Sequence, residues 1–172
     1  MISDRMQTAF NDQINAELYS SYLYLSMAAY FESTSLSGFA NWMKAQAREE
    51  HFHAMKMYDY LGERGGRILL QPIQGPETEW ASPLAVFAGV AAHEAHVTGL
   101  INNMVSLARA ENDYASESFL RWFVDEQVEE EQAADEIVQK LKLLEGFPGG
   151  LFMLDRELAQ RVFVEPAAPG PA

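Results

Sequence analysis

Glycine and proline, the residues that most often interrupt helices, are confined to a few short stretches of this 172-residue chain. Residues 1–37 contain neither, and only two glycines stand between Pro83 and Glu145. Apolar residues recur at helical spacing through both regions. The chain is therefore expected to be all-α, with unusually long helices.

The interruptions predict where each helix begins and ends. Ser37 is a candidate cap for the second helix, and Ser82 with Pro83 suits the start of the third. A single helix from Pro83 onward would be about 94 Å long, too long for a domain of this size, whose radius of gyration is about 16 Å. It is expected to break at Asn112, which tolerates the left-handed conformation that ends helices. The predicted helices are A (about 4–31), B (37 to about 64), C (about 83–111), D (about 114–144) and a shorter helix E after residue 150.

Link lengths predict the topology. Short A–B and C–D links favour antiparallel hairpins. The B–C link of about 18 residues spans up to about 60 Å, more than the roughly 40 Å of a 27-residue helix, so it can run the whole bundle length. We predict a four-helix bundle with a long crossover, a domain at 1–163 and a disordered tail at 164–172. The apolar face of helix E is expected to be buried between subunits and comprises Leu151, Leu154, Leu158 and Val162.

Composition removes several classes of protein. The chain has no cysteine, which excludes disulfides, zinc–thiolate sites and iron–sulfur clusters. A net charge of −13 disfavours nucleic acid and anionic membranes and favours cations. Asp4, Arg5 and Asp12 interrupt any signal peptide, and the longest apolar run, 84–92, is short for a membrane span. A cytoplasmic protein is expected.

Each long helix carries a glutamate near its midpoint, on its apolar face. In a bundle of similar helices the midpoints share one layer, so these carboxylates should meet in the core. Buried ionised carboxylates must share protons, pair with cations or hold metal. Metal is the simplest of the three, because Lys and Arg are absent from these faces at that level. The four glutamates are Glu17, Glu50, Glu94 and Glu130.

Glu50 and His53 stand one turn apart on one helical face, a spacing that carboxylate-bridged di-iron bundles use. Oxygen ligands with few imidazoles suit iron or manganese better than copper or structural zinc. A surface location is the ordinary explanation for any single glutamate, but four at matching depth disfavour it. His93 and His96 are three residues apart, whereas a zinc-protease helix needs four.

Four motifs, one on each long helix, stand out together. They are Asn15-Ala16-Glu17 with Tyr24, Glu49-Glu50-His51-Phe52-His53, Glu94, and Glu126-Gln127-Val128-Glu129-Glu130. With these motifs the chain resembles the non-haem bacterial and archaeal ferritins, over residues 1 to about 163. The resemblance implies a cage of 24 subunits that oxidises Fe(II) with O2 or peroxide and stores ferric mineral.

The resemblance also implies a role for each residue. Glu17, Glu50 and His53 would bind one iron. Glu50, Glu94 and Glu130 would bind the second, with Glu50 bridging. A third iron position would use Glu49, Glu126 and Glu129 together with Glu130. Gln127 would hydrogen-bond near the iron, and Tyr24 would stabilise or reduce an oxidised intermediate.

Departures from related families narrow this expectation. Haem-binding bacterioferritins have methionine where this chain has His51, and a second Glu-x-x-His where it has Gln127-x-x-Glu130. We therefore expect no haem. A di-iron protein that removes peroxide and a metal-free interaction module of cytokine-like topology stay as alternatives.

Overall fold

A computed structural model describes residues 1–166, which contain five helices and no strand. The all-α prediction is confirmed, and helices A to D end within two residues of their predicted positions. Residues 167–172, most of the predicted disordered tail, lie outside the described residues. The helices are α1 (Asp4–Ser33), α2 (Ser37–Glu63), α3 (Pro83–Ala110), α4 (Tyr114–Leu143) and α5 (Pro148–Leu158).

Local sequence determines most of the helix ends. Asn112 adopts the left-handed conformation between α3 and α4 with φ of 56°, as predicted, and Gly65 does so after α2 with φ of 73°. The Ser82 side chain accepts a 3.1 Å hydrogen bond from the backbone N–H of Ala85, which confirms it as the cap of α3.

The predicted Ser37 cap is wrong. Ser37 is the first residue of α2, and the side chain of the cap residue, Leu36, makes no hydrogen bond. The Asp155 carboxylate on α5 caps this end instead, accepting from the backbone N–H groups of Gly38 at 2.8 Å and Phe39 at 3.1 Å. A side chain at Gly38 would place its Cβ 1.6 Å from the Asp155 carbonyl oxygen, so only glycine allows this approach.

Helix α5 packs on its own subunit, contrary to the expectation that its apolar face is buried between subunits. Leu154 and Leu158 are buried in the core, where they extend one of the bundle's apolar clusters. Leu151 is half-buried, and Val162 lies beyond the helix and is exposed. The residues of α5 that stay exposed and apolar are Phe152 and Met153.

The crossover, residues 64–82, runs the length of the bundle, as its length predicted, and lies along α1. The Asn11 side chain donates to one crossover carbonyl and accepts from one crossover N–H, at 3.0 and 2.7 Å. Asn15 and Ser26 donate to carbonyls further along. Trp80 packs edge-on against Tyr30 near the far end of α1. These contacts carry the chain from one end of the bundle to the other.

A layer of polar side chains divides the bundle core into two apolar clusters. One cluster includes Phe31, Phe39 and Phe87 at the end where α5 packs, and the other includes Phe10 and Leu120 at the opposite end. The polar layer between them crosses all four long helices, as the matching midpoints predicted.

Helix α3 is long and apolar enough to cross a membrane by length and composition alone, although its uninterrupted apolar run, residues 84–92, is short. The core helix of a bundle meets the same criterion. Its inner face here packs against α1 and α4 and includes the buried Glu94.

Candidate metal centre

The four mid-helix glutamates and His53 are all buried in the polar layer. Their relative exposures are 1% for Glu17, 2% each for Glu50, His53 and Glu94, and 6% for Glu130. Helical spacing places each of these residues on the buried face of its own helix, among the core residues. The packing of α1 on α2 and of α3 on α4 then brings all five to one place.

Ligand atoms of these residues form two overlapping groups. Glu17, Glu50 and His53 make the first, and Glu50, Glu94 and Glu130 make the second. Within each group the atoms lie within 4.8 Å of one another. Glu50 belongs to both, so its carboxylate can bridge two cations. Each group matches a ligand set that the resemblance implied.

A third group lies beside the first and contains Glu49, His53 and Glu126. Glu49 and Glu126 were both expected at a third position, whereas His53 was expected only at the first. Glu129 is exposed and belongs to none of the groups found among the described residues. Its assignment as a third-position ligand stays a prediction.

Buried amides hold the carboxylates in place. The Gln46 side-chain nitrogen donates to Glu50 Oε1 at 2.7 Å and to Glu130 Oε2 at 2.9 Å, which links α2 to α4. Gln13 donates to Glu17 Oε1 at 3.0 Å. Neither glutamine was predicted as part of the centre, although each precedes its glutamate by four residues and so shares its helical face.

The two predicted neighbours of the centre contact Glu94. The Tyr24 hydroxyl donates to Glu94 Oε1, and the Gln127 side-chain nitrogen donates to the Glu94 carbonyl at 3.2 Å. A longer 3.4 Å contact joins Gln127 to Glu94 Oε2. Both residues are therefore in position to orient this carboxylate.

His53 is held by contacts on two sides. Its Nδ1 lies 3.3 Å from Glu50 Oε2. The rings of Trp122 and Phe123 pack edge-on against the imidazole, at centroid distances of 5.4 and 5.8 Å. This packing fixes the ring plane before any cation binds.

The metal-free centre holds one ion pair among protonated carboxyls. Burial alone would raise the pKa of Glu50, but its hydrogen bond to His53 and the charge of that ring lower it. Burial disfavours a charged His53, yet the hydrogen bond to Glu50 and the nearby carboxylates raise its pKa to about 10. Burial and the charge of Glu50 raise the pKa of Glu17 and of Glu94 to about 8 each, and raise that of Glu130 well above its usual range.

The residues fit a pair of hard divalent cations. The second oxygen of Glu17, Oε2, is buried and has no hydrogen-bond partner within residues 1–166. A cation would satisfy this oxygen and replace the protons that the other carboxyls hold. Four carboxylates with one imidazole suit iron or manganese.

The histidines set aside in the sequence do not join the centre. His51 and His96 are exposed. His93 is half-buried, and its Nε2 lies 2.7 Å from the Ser20 hydroxyl. None of the three belongs to a cation-binding group among the described residues.

Curated relatives of this chain are ferritins. A family model described as the ferritin-like domain matches residues 7–144. A bacterial non-heme ferritin of Bacteroides fragilis is 48% identical over 161 residues, which cover 94% of this chain and 100% of that protein. One from Staphylococcus epidermidis is 41% identical over 165 residues, covering 96% and 99%.

Solved structures agree in fold as well as in sequence. A ferritin of Archaeoglobus fulgidus, engineered into a closed form, is 52% identical and aligns with a TM-score of 0.94 over 95% of this chain and 100% of that one. The open-pore ferritin of the same hyperthermophilic archaeon aligns with a TM-score of 0.93 over 94% and 99%. The chain therefore belongs to the ferritin family of iron-storage proteins, among the non-haem prokaryotic ferritins.

Proposed function

We propose that this protein is a ferroxidase, which oxidises Fe(II) as its substrate at the buried polar layer. The observation that carries the proposal is the position of Glu50, whose carboxylate belongs to both three-residue groups. A shared carboxylate holds two metal ions close together, and a pair of metals about 3.5–4 Å apart can bind both oxygens of one small oxidant.

The proposed reaction transfers one electron from each Fe(II). Two electrons and two protons reduce O2 to hydrogen peroxide, or reduce one hydrogen peroxide to two waters. Tyr24 and Gln127 would act through Glu94, the carboxylate that both of them contact. The protons on Glu17, Glu94 and Glu130 leave as the cations bind.

The third group extends the proposal from oxidation to storage. Glu49 and Glu126 are less buried than the five central ligands, so they can accept a cation that leaves or approaches the two central positions. Glu129, exposed on the same face of α4, would receive the ion next. Ferric mineral would then form inside a cage.

Assembly into a cage of 24 subunits is part of the proposal. Phe147, Phe152 and Met153 stay exposed at one end of the subunit, which supports contacts with other copies there. Because Leu154 and Leu158 complete the subunit's own core, deletion of α5 would destabilise the subunit itself. Substitution of Met153 by glutamate tests assembly more cleanly, and we expect smaller particles by native mass spectrometry. Fractionation of cells tests the proposed cytoplasmic location.

The proposal is tested with metal-free protein given two Fe(II) per subunit without oxygen and then mixed with air. We expect a fast absorbance change from ferric product that saturates at two irons per subunit. Glu50→Ala should lose this phase, because it removes a ligand from both positions. Glu63→Ala is the matched control, with the same charge change at an exposed position of the same helix. A wild-type rate in Glu50→Ala would refute the bridging role.

Oxidant consumption separates storage from peroxide removal. Iron oxidised per O2 and per peroxide is measured first. Larger additions of iron are then followed by size-exclusion chromatography. A storage protein keeps the iron in the protein fraction, whereas a peroxide-removing enzyme oxidises Fe(II) without retaining mineral.

A further inference from the structure

The chain beyond α5 is tied to the surface of α2. The Asn41 side-chain nitrogen donates to the backbone carbonyls of Leu158, Ala159 and Arg161, at 3.3, 3.2 and 3.0 Å. One side chain thus fixes a full turn of backbone just after the last helix. The position of Arg161 along α2 is set by these bonds.

Arg161 directs its guanidinium inward, towards the third group. Its central carbon lies 4.1 Å from the centroid of the Trp42 ring, and Nη2 donates to Glu49 Oε2 at 2.7 Å. The two charged side chains are only 22% and 18% exposed. Nη1 is buried with no hydrogen-bond partner among the residues described. Such a shielded pair interacts more strongly than an ion pair in open solvent.

Glu49 therefore has two competing uses. Its carboxylate pairs with Arg161, and it also lies within reach of a cation held by His53 and Glu126. A divalent ion at that position would stand beside a fixed positive charge. The guanidinium either repels the ion or withdraws from Glu49 when the ion binds.

We propose that Arg161 is an internal counter-cation of the third position, which it keeps weak for divalent ions. The identity of the natural ion as Fe(II) rests on the proposed function. Coupling between two sites is reciprocal. If the attachment of residues 159–166 to α2 lowers the affinity of the third position for an ion, a bound ion weakens that attachment by the same factor. A weak third position releases iron onward instead of trapping it beside the oxidation centre.

The test uses Co²⁺ and Zn²⁺, which bind without being oxidised by air. Calorimetric titration of the metal-free assembled protein resolves the third ion after the first two. In Arg161→Gln we expect the third ion to bind about tenfold more tightly, within the usual range of coupling between sites. Arg161→Lys keeps the charge and should restore an affinity close to wild type. Arg156→Gln, at an exposed position of α5, is the control for loss of one positive charge.

A double substitution distinguishes pairing from a general loss of structure. In a Glu49→Gln background, Arg161→Gln should raise the affinity of the third ion by less than it does in the wild-type background, because competition for the Glu49 carboxylate is already absent and only the charge of the guanidinium is removed.

The possible results test the role of Arg161 and the proposed function separately. Unchanged or weaker binding of the third ion in Arg161→Gln overturns the proposal, as does the same gain in Arg156→Gln or the absence of any third ion. If wild-type protein fails to oxidise Fe(II), the proposed function fails, but the Co²⁺ titration still decides the role of Arg161. If oxidation occurs and the Co²⁺ result is negative, the counter-cation proposal alone fails.

Discussion

Filling the two central positions should expel protons, because the metal-free centre holds most of its ligands in protonated form. Glu17 and Glu94 have a pKa of about 8, that of Glu130 is higher than usual, and that of His53 is about 10. Only Glu50, whose pKa is lowered, is already ionised at neutral pH. Two bound cations need all five ligands without their protons.

The size of the release follows from these values. At pH 7 a group with a pKa of about 8 is about 90% protonated, so Glu17, Glu94 and His53 together give up nearly three protons per subunit, and Glu130, whose pKa is raised, adds to that number. At pH 8.5 the first two groups retain about a quarter of their protons. The release from Glu17, Glu94 and His53 should then fall to about one and a half. Carboxylates that were already ionised before the cations bind would release no protons.

The measurement is a titration of metal-free protein with two Zn²⁺ per subunit. Calorimetry in two buffers of different ionisation enthalpy gives the number of protons released, and a pH indicator in weak buffer provides a second count. Glu17→Gln should release about one proton fewer at pH 7, since an amide carries no titratable proton. Glu63→Gln, exposed on α2, should behave like the wild type.

A release of one proton or fewer at pH 7 would refute the picture of protonated carboxyls around a single ion pair. A release that does not decrease between pH 7 and 8.5 would also contradict it. In either case burial would be too weak to keep the carboxyls neutral, and water would have to enter the layer.

The structure also predicts the effects of pH, of Gln46 and of Asp155. The melting temperature of metal-free protein should fall between pH 5 and 8, because the folded chain holds protons on Glu17 and Glu94 that the unfolded chain loses near pH 4.5. Each such proton lowers the free energy of unfolding by about 1.4 kcal/mol per pH unit in this range. Zn²⁺-loaded protein should not show this fall. Gln46→Met should weaken Zn²⁺ binding by about 10–100-fold, as is usual when a residue that orients a ligand is lost. Gln132→Met, at an exposed position of α4, should leave the affinity unchanged. Equal affinities in the two variants would contradict the orienting role of Gln46. Asp155→Ala should destabilise the assembled protein by about 1 kcal/mol in chemical denaturation, and Asp155→Asn should destabilise it by less. If the two variants are equally stable, Asp155 does not act as a cap.

Local rules predicted most of the helix ends and the level of the ligands. Asn112 and the Ser82-Pro83 pair carry their structural meaning within a few residues. The glutamates were placed by helical spacing and by the equal lengths of the helices, both of which the sequence contains. Gln46 could have been found in the same way, since it lies one turn before Glu50.

The features that were missed depend on contacts between distant segments. The cap of α2 comes from Asp155, which is 117 residues from Gly38. The pairing of Glu49 with Arg161 spans 112 residues. Nothing near Ser37 or Glu49 in sequence signals these partners, because they depend on how α5 lies against α2. The burial of α5 on its own subunit was mispredicted for the same reason.

The attachment of the crossover to α1 has a consequence for how sequences of this kind can change. Its backbone groups are bonded by the side chains of Gln7, Asn11, Asn15 and Ser26, so many different residues in the crossover would keep the same path. The restriction falls instead on four polar positions of the first helix, where propensity alone would prefer alanine or leucine at most of them. Variation should therefore accumulate in the crossover itself, and a change at Asn11 should alter the course of a segment more than fifty residues away.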